Sequence, residues 1–320
     1  MSGTTETHTR AARLVGHGEP LSVETSPLPE PGPGEVVVEL AFSTVNPVDR
    51  YQALGKVAPD AKIPRTLGGE ASGTVGGRRV LVRGHGLGIG RDGLWADTAV
   101  VPEAALIDVP EGVGLCAAAA IGVAGVTAWR CVTEIARVRA TDRVLVLGAS
   151  GGVGAMIVSL ARSRGAQVAG QTTDPAKADS IRAAGAAEVI VGDAAALGGP
   201  ATLFSPTVVF DALGGDYFGA SVGAAAPEAR IVTFGTSAGE SGVVPLQALY
   251  RKGISVRGYA GLLAGEEELA VAARRALAAL AEGKLRVPVG EVFPLEQVNM
   301  ALSSLAARRT AGKILLDLGR

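Results

Sequence analysis

The stretch Arg143–Gly165, RVLVLGASGGVGAMIVSLARSRG, decides the fold of this chain. It opens on a short apolar run, Val144–Leu147, whose length and branched residues suit a strand buried on both faces. The segment Gly148-Ala149-Ser150-Gly151-Gly152-Val153-Gly154 follows, and Val153, Met156, Ile157 and Leu160 then recur at helical spacing. Arg162 and Arg164 fall in the last turn, and Gly165 stands where a left-handed residue would close the helix. Strand, glycine turn and helix in this order begin a βαβ unit of the dinucleotide-binding kind. The helix N-terminus offers free N–H groups to a pyrophosphate, and glycine lets the backbone approach it. Of the G-x-G-x-x-G pattern, the first glycine is here Ala149, followed by Gly151 and Gly154. Such a turn also arises in Ala/Gly-rich chains for no functional reason, so the flanking strand and helix carry the reading. Ala149, Ser150, Gly151, Gly152, Val153 and Gly154 are the expected phosphate contacts.

Working outward, 320 residues favour two domains. Thirty basic residues nearly cancel 31 acidic ones, net charge −1, so there is no electrostatic footprint for nucleic acid or an anionic membrane. Residues 112–129 and 144–161 are uncharged over a spanning length, but both are interrupted by glycines and the second is the strand, turn and helix just described. Buried globular segments explain them better than membrane spans. The N-terminal MSGTTETHTR is polar and unlike a secretory signal. Cys116 and Cys131, the only cysteines, suit a reducing cytosol and cannot build a cysteine-rich zinc site. The expected location is cytoplasmic. His8, His17 and His85 have no ligand-like spacing.

Residues 11–110 read as a partly closed β domain. Strands are expected at 36–40, 71–75, 79–82 and 95–101, and Asn46 and Pro47 read as N-cap and first residue of a short helix over 46–55. Beyond Ala117 an Ala-rich helix leads into alternating strands and helices. Strands at 144–147, 167–171, 188–191, 208–211, 230–234 and 255–258 suit a doubly wound parallel sheet. A helix over 266–282, a strand at 289–293, a helix over 295–307 and a strand over 313–318 complete the chain. The layout is one domain made from both ends of the chain, residues 1–122 and 260–320, with a nucleotide domain of residues 123–259 inserted.

The motifs Pro31-Gly32-Pro33-Gly34-Glu35-Val36, Asn46-Pro47-Val48-Asp49, Leu67-Gly68-Gly69-Glu70-Ala71-Ser72-Gly73, Gly125-Val126-Thr127-Ala128, the glycine loop and Gly312-Lys313-Ile314 occur in this order. In that order the chain resembles the medium-chain dehydrogenase/reductase superfamily, specifically its zinc-free quinone oxidoreductase (zeta-crystallin-like) branch. The resemblance spans nearly the whole chain and implies a Rossmann domain inserted in a GroES-like, partly closed β-barrel domain. Zinc-dependent relatives place Cys, His and Cys where this chain has Asn46, Gly69 and Val123, none of which offers a suitable donor. Without a Lewis acid, alcohol oxidation is disfavoured, and the implied reaction is hydride transfer to an electron-poor small molecule, a quinone or an α,β-unsaturated carbonyl. Enoyl-thioester reduction is the nearest alternative, and a cofactor-binding protein with little turnover is another. A homodimer paired through the edge strand 255–258 is also implied. The hairpin between 73 and 82 is shorter than is usual in the family, which leaves the cleft edge more open.

Asn46, Asp49 and Tyr51 are the polar candidates for the floor of the substrate cleft. In a helical turn 46 and 49 share a face and 51 lies about 100° to one side. On one reading Asn46 hydrogen-bonds acceptor or ribose and Tyr51 orients the acceptor or relays a proton. On the other, Asn46 caps the helix, Asp49 satisfies nearby backbone or an arginine, and Tyr51 is a wall residue. The resemblance puts Thr127 beside the nicotinamide, and Phe234-Gly235-Thr236 follows a strand at the end where ligands meet such sheets. Asp211 serves either the cofactor or its own turn. An NAD enzyme usually ends its second strand on an acidic residue that binds the ribose 2′-OH, but here the position is Gln171 or Thr172. Asp174 precedes Pro175 as an N-cap does. Thr172 and Thr173 offer hydroxyls and Lys177 an ammonium for a 2′-phosphate, so NADPH is favoured over NADH.

Overall fold

The strand expected at the glycine loop runs over Arg143–Val146, and the helix after it over Gly152–Ser163. In the computed structural model, which describes residues 7–319, this strand lies third in a six-stranded sheet. The spatial order is Glu188–Val191, Gln167–Thr172, Arg143–Val146, Val208–Asp211, Arg230–Thr233 and Ser255–Gly258, every neighbouring pair parallel. In order of appearance this is 3-2-1-4-5-6, the doubly wound arrangement whose order reverses beside the first strand. Branched and aliphatic residues make the sheet because both its faces are covered: Val144, Leu145 and Val146 are fully buried, as are Val208, Val209 and Phe210. Leu145, Leu147, Val209 and Ile231 share one core with Leu197, Ala201 and Phe204, while Met156, Ile157 and Val158 of the helix are also buried. Gly165, at φ +87°, ends the helix in the left-handed region.

The described chain divides into two units. One comprises 124–265 and 282–288; the other comprises 7–123, Glu266–Ala281 and 289–319. The second unit is a β structure. Its larger sheet runs Val289–Pro294, Lys313–Asp317, Glu35–Val45, Glu70–Val75, Arg78–Arg83 and Leu106–Asp108, with Thr98–Pro102 paired to the first half of Glu35–Val45. Its smaller sheet is Ser22–Pro27, His8–Leu14 and Arg65–Thr66. Leu14, Leu67, Leu94, Trp95, Val101 and Leu316 fill the core between them.

The strand expected at 95–101 begins only at Thr98. Trp95 is instead fixed by three bonds: its N–H donates to the Leu67 carbonyl, its carbonyl accepts from Ala12, and its indole Nε1 donates to the Thr44 carbonyl at 3.1 Å. That segment crosses between sheets, so apolar content alone misplaced the strand start. The strands His8–Leu14 and Ser22–Pro27 and the helices Pro200–Phe204 and Leu246–Arg251 were not anticipated. The helix expected from Ala117 starts at Leu115 and contains two wide turns, Ile121–Gly125 and Arg130–Ile135, where the spacing is i→i+5. Residues 1–6 of the polar N-terminal stretch lie outside the described residues. Among the described residues no helix is long and apolar enough to cross a membrane.

Candidate functional site

In the nucleotide unit the glycine loop leaves the strand with Gly148 at φ +65°, and the Gly151 N–H donates to the Gly148 carbonyl at 3.0 Å. The helix starts at Gly152 with Gly151 as an N-cap that supplies no side-chain bond. The N–H groups of the first turn therefore remain open for an anion. A Cβ on Gly154 would lie 2.4 Å from the Gly148 carbonyl oxygen and 3.0 Å from Ala149 Cα. Helix and loop backbones thus meet at a distance only glycine tolerates. Ala149 and Gly154 are buried, while Gly148, Ser150, Gly151, Gly152 and Val153 are half-buried, so the loop's accessible surface comes from these five residues. The loop fits a pyrophosphate.

Gln171, at the end of the second strand, is buried. Its Oε1 accepts from the Gly148 N–H at 3.0 Å and its Nε2 donates to the Gly192 carbonyl at 2.6 Å. The position that would carry an acidic ribose ligand is therefore occupied by a strand residue whose side chain ties together the loops after the two neighbouring strands. Thr172 is buried too, and its hydroxyl accepts from the Asp174 N–H at 3.2 Å, so that hydroxyl serves the turn. Asp174 caps, accepting from the Ala176 N–H at 3.0 Å. Thr173 is exposed and Lys177 half-buried in the turn that follows. Asp211 is buried at its strand end, and its Oδ1 accepts from the N–H groups of Leu213 and Gly214 at 2.8 and 3.0 Å, a turn-holding role. Burial raises its pKa, with those two bonds opposing. Phe234 and Gly235 are half-buried and Thr236 exposed beyond the next strand. Thr127 faces the hydroxyl of Tyr259, and Arg130 stacks over the Tyr259 ring at 5.5 Å.

In the β unit, the segment entering the helix Pro47–Ala53 carries a buried polar cluster that sequence reasoning saw only in part. Asn46 is the N-cap, and the Asp49 carboxylate reaches back to its N–H at 2.7 Å. The Asn46 amide points elsewhere. Its Nδ2 donates to Glu70 Oε1 at 2.9 Å and Thr44 Oγ1 at 3.0 Å, and its Oδ1 accepts from the Lys313 ammonium at 2.5 Å. The Thr44 hydroxyl also donates to Glu70 Oε1. Lys313 Nζ lies 3.7 Å from Glu70 Oε1, and Glu70 Oε2 accepts from the Val123 N–H at 2.6 Å. The side chains of Thr44, Asn46, Asp49, Glu70 and Lys313 are all buried. Burial pushes the Lys313 ammonium below the usual lysine range, while Glu70 and Asp49 pull it back up. Of the positions compared above with zinc ligands, Asn46 thus holds an internal ammonium, and Val123 is tied to the same cluster through Glu70. Asn46 has its amide committed within the cluster, and Tyr51 is the exposed member of the sequence-predicted trio. Glu70 and Lys313 were quoted in motifs but not singled out as site residues. The signal was a charge at the start of a strand, ahead of small residues in EASGTV and of the apolar Ile314–Leu316 in KILLD.

Asp49 is fully buried, its pKa raised to about 7 by burial and by the neighbouring Glu70, against the Asn46 N–H, Lys313 and the Gly69 backbone. Its Oδ1 has no hydrogen-bond partner. A carboxyl with a raised folded pKa favours folding while protonated, and this contribution fades as pH climbs from about 4 to about 7. Asp49→Asn keeps an oxygen for the Asn46 N–H and removes the titration. Its stability advantage over wild type should grow across that window and level off above it, reaching about 2–4 kcal/mol. Urea unfolding at pH 4.5, 6 and 8 measures this, and a constant difference would contradict it.

A family model for zinc-binding dehydrogenases matches residues 185–316. A quinone oxidoreductase of Pseudomonas aeruginosa is 30% identical over 302 residues, an alignment that covers 90% of this chain and 92% of that protein. Among solved structures, an NAD-dependent alcohol dehydrogenase aligns with a TM-score of 0.86 at 29% identity, covering 97% of this chain and 100% of the other. A mycobacterial protein solved in complex with NADPH aligns with a TM-score of 0.84 at 25% identity, covering 97% and 99%. Among the described residues, no group of three or more His, Cys, Asp and Glu side chains comes together to hold a metal.

Proposed function

We propose, for a chain that belongs to the quinone oxidoreductase branch of the medium-chain dehydrogenase/reductase superfamily, an NADPH-dependent, metal-independent reduction of a quinone or an α,β-unsaturated carbonyl. The observation that carries the reading is the cluster at Asn46. An amide, a glycine and a valine stand at the positions compared with zinc ligands, and the Lys313 ammonium lies 2.5 Å from Asn46 Oδ1, where it would repel a divalent cation. Bound NADPH supplies a hydride, which an electron-poor acceptor takes up together with one proton. The first-turn N–H groups after Gly151 hold the pyrophosphate, with Gly154 keeping helix and loop in register. Thr127 and Phe234-Gly235-Thr236 line the nicotinamide end. Tyr51, an exposed residue of its helix, orients the acceptor and hands it the proton of its hydroxyl, while Asn46 and Asp49 keep the helix that carries Tyr51 in place. Fluorescence titration with NADPH, followed by turnover with a panel of quinones and enones, tests this. Absence of both binding and turnover would sink it.

The preference for NADPH rests on the neutral strand end at Gln171 and on Lys177 and Thr173 in the following turn. Lys177→Ala should raise the Michaelis constant for NADPH about tenfold and leave that for NADH within twofold, the loss of one charge-assisted phosphate contact being worth roughly 1.5 kcal/mol. Equal effects on both cofactors would remove Lys177 from the 2′-phosphate site. The proposed partner is a second copy of the chain, paired through Ser255–Gly258, an exposed edge strand in which Val256 is accessible. Sedimentation at the dimer mass is expected; a Val256→Lys variant should sediment as a monomer.

A further inference from the structure

The chain leaves the β unit after Val123 and re-enters it at Glu266, and on the β-unit side Arg83 contacts both points while Glu70 holds the first. Glu70 and Arg83 face each other across adjacent antiparallel strands. Glu70 Oε2 accepts from the Val123 N–H at 2.6 Å, and Arg83 Nε donates to the Gly122 carbonyl at 3.1 Å. These are the two ends of one peptide group. Arg83 also lies 3.4 Å from the Glu266 carboxylate, whose other oxygen accepts from the His85 N–H at 2.8 Å. A Cβ on Gly122 would sit 2.7 Å from Glu70 Oε2 and 3.2 Å from Arg83 Cβ, so the grip closes only on glycine.

The gripped peptide lies within the wide helical turn Ile121–Gly125, and the helix continues through Thr127, one turn beyond Val123. A wide turn holds one residue more than an α turn. If it relaxed to the α register, every later residue would rotate by about 100° relative to the earlier ones. The two side-chain bonds to this one peptide group, Val123 N–H to Glu70 and Arg83 Nε to the Gly122 carbonyl, hold it from outside the helix and oppose that relaxation. We infer that Glu70 and Arg83 are positioning residues that fix this wide turn and, through it, the rotation at which Thr127 is presented to the nicotinamide. The inference rests on the proposed function for the role of Thr127, but the grip itself does not. Lys313, on the far side of Glu70, is what allows a carboxylate to be buried here.

Arg83→Met removes the donor to Gly122, and hydrogen exchange of the full chain reads the grip without cofactor. Amides of residues 121–127 should exchange at least tenfold faster than in wild type, with the helix Gly152–Ser163 unchanged. NADPH dissociation constants for wild type, Arg83→Met, Thr127→Ala and the double variant read the positioning. Arg83→Met should weaken binding about tenfold alone and less than twofold on top of Thr127→Ala. If Arg83→Met does not fold, Arg83→Lys, which keeps a cation for Glu266 but not the Nε donor, is read by the same measures. Unchanged exchange would overturn the grip. Faster exchange with effects that multiply would overturn the positioning of Thr127. A wild type that binds no NADPH would instead overturn the proposed function, and the positioning role with it.

Discussion

Gly154→Ala should cost the nucleotide unit about 1–3 kcal/mol and weaken NADPH binding at least tenfold. The added methyl has nowhere to go. It would meet the Gly148 carbonyl oxygen at 2.4 Å and the carbonyl carbon at 3.1 Å, both backbone atoms of a loop pinned by the Gln171 side chain. The helix must therefore shift away from the loop, and its first-turn N–H groups shift with it, so one substitution lowers stability and affinity together. Gly198→Ala is the control: it adds the same methyl within 4 Å of nothing and should leave both quantities within error. Thermal unfolding and NADPH titration of the two variants make the comparison. Unchanged affinity in Gly154→Ala would show that the helix N-terminus is not the phosphate site.

Lys313→Met should be the most destabilising change, about 3–5 kcal/mol at pH 8. Met preserves most of the side-chain volume, so the loss is electrostatic: Asn46 Oδ1 and the buried Glu70 carboxylate lose their cation. The variant can relieve that uncompensated charge only by binding a proton, so its deficit should shrink as pH falls toward 5. Urea unfolding at both pH values checks the sign. A deficit equal at the two, or larger at the lower pH, would mean that Lys313 stabilises by packing and not by charge.

The nucleotide unit was legible because each of its signals is local. Apolar runs such as Val144–Leu147 have a strand's length, the glycine loop lies between strand and helix, and the six expected strands occur within one or two residues of their expected bounds. The early β unit was harder to read. Strand His8–Leu14 carries Arg10 and Arg13, whose partners Asp97 and Asp92 lie more than 75 residues away, so its polarity reads as loop until the sheet is assembled. Trp95 misled for the same reason: its bonds run to Ala12, Thr44 and Leu67, three separate segments. At the site, the sequence pointed to Asn46 through its helix-start pattern and to Asp49 as a polar residue on the same helical face. The partners that define what Asn46 does, Glu70 and Lys313, sit 24 and 267 residues away, and no periodicity links them.

The most direct test of a metal-independent hydride transfer is turnover after chelation. Protein freed of divalent ions should oxidise NADPH with at least one quinone or enone, at a rate unchanged by added zinc. An inactive protein that zinc restores, or one inactive across the acceptor panel with or without metal, would contradict the account.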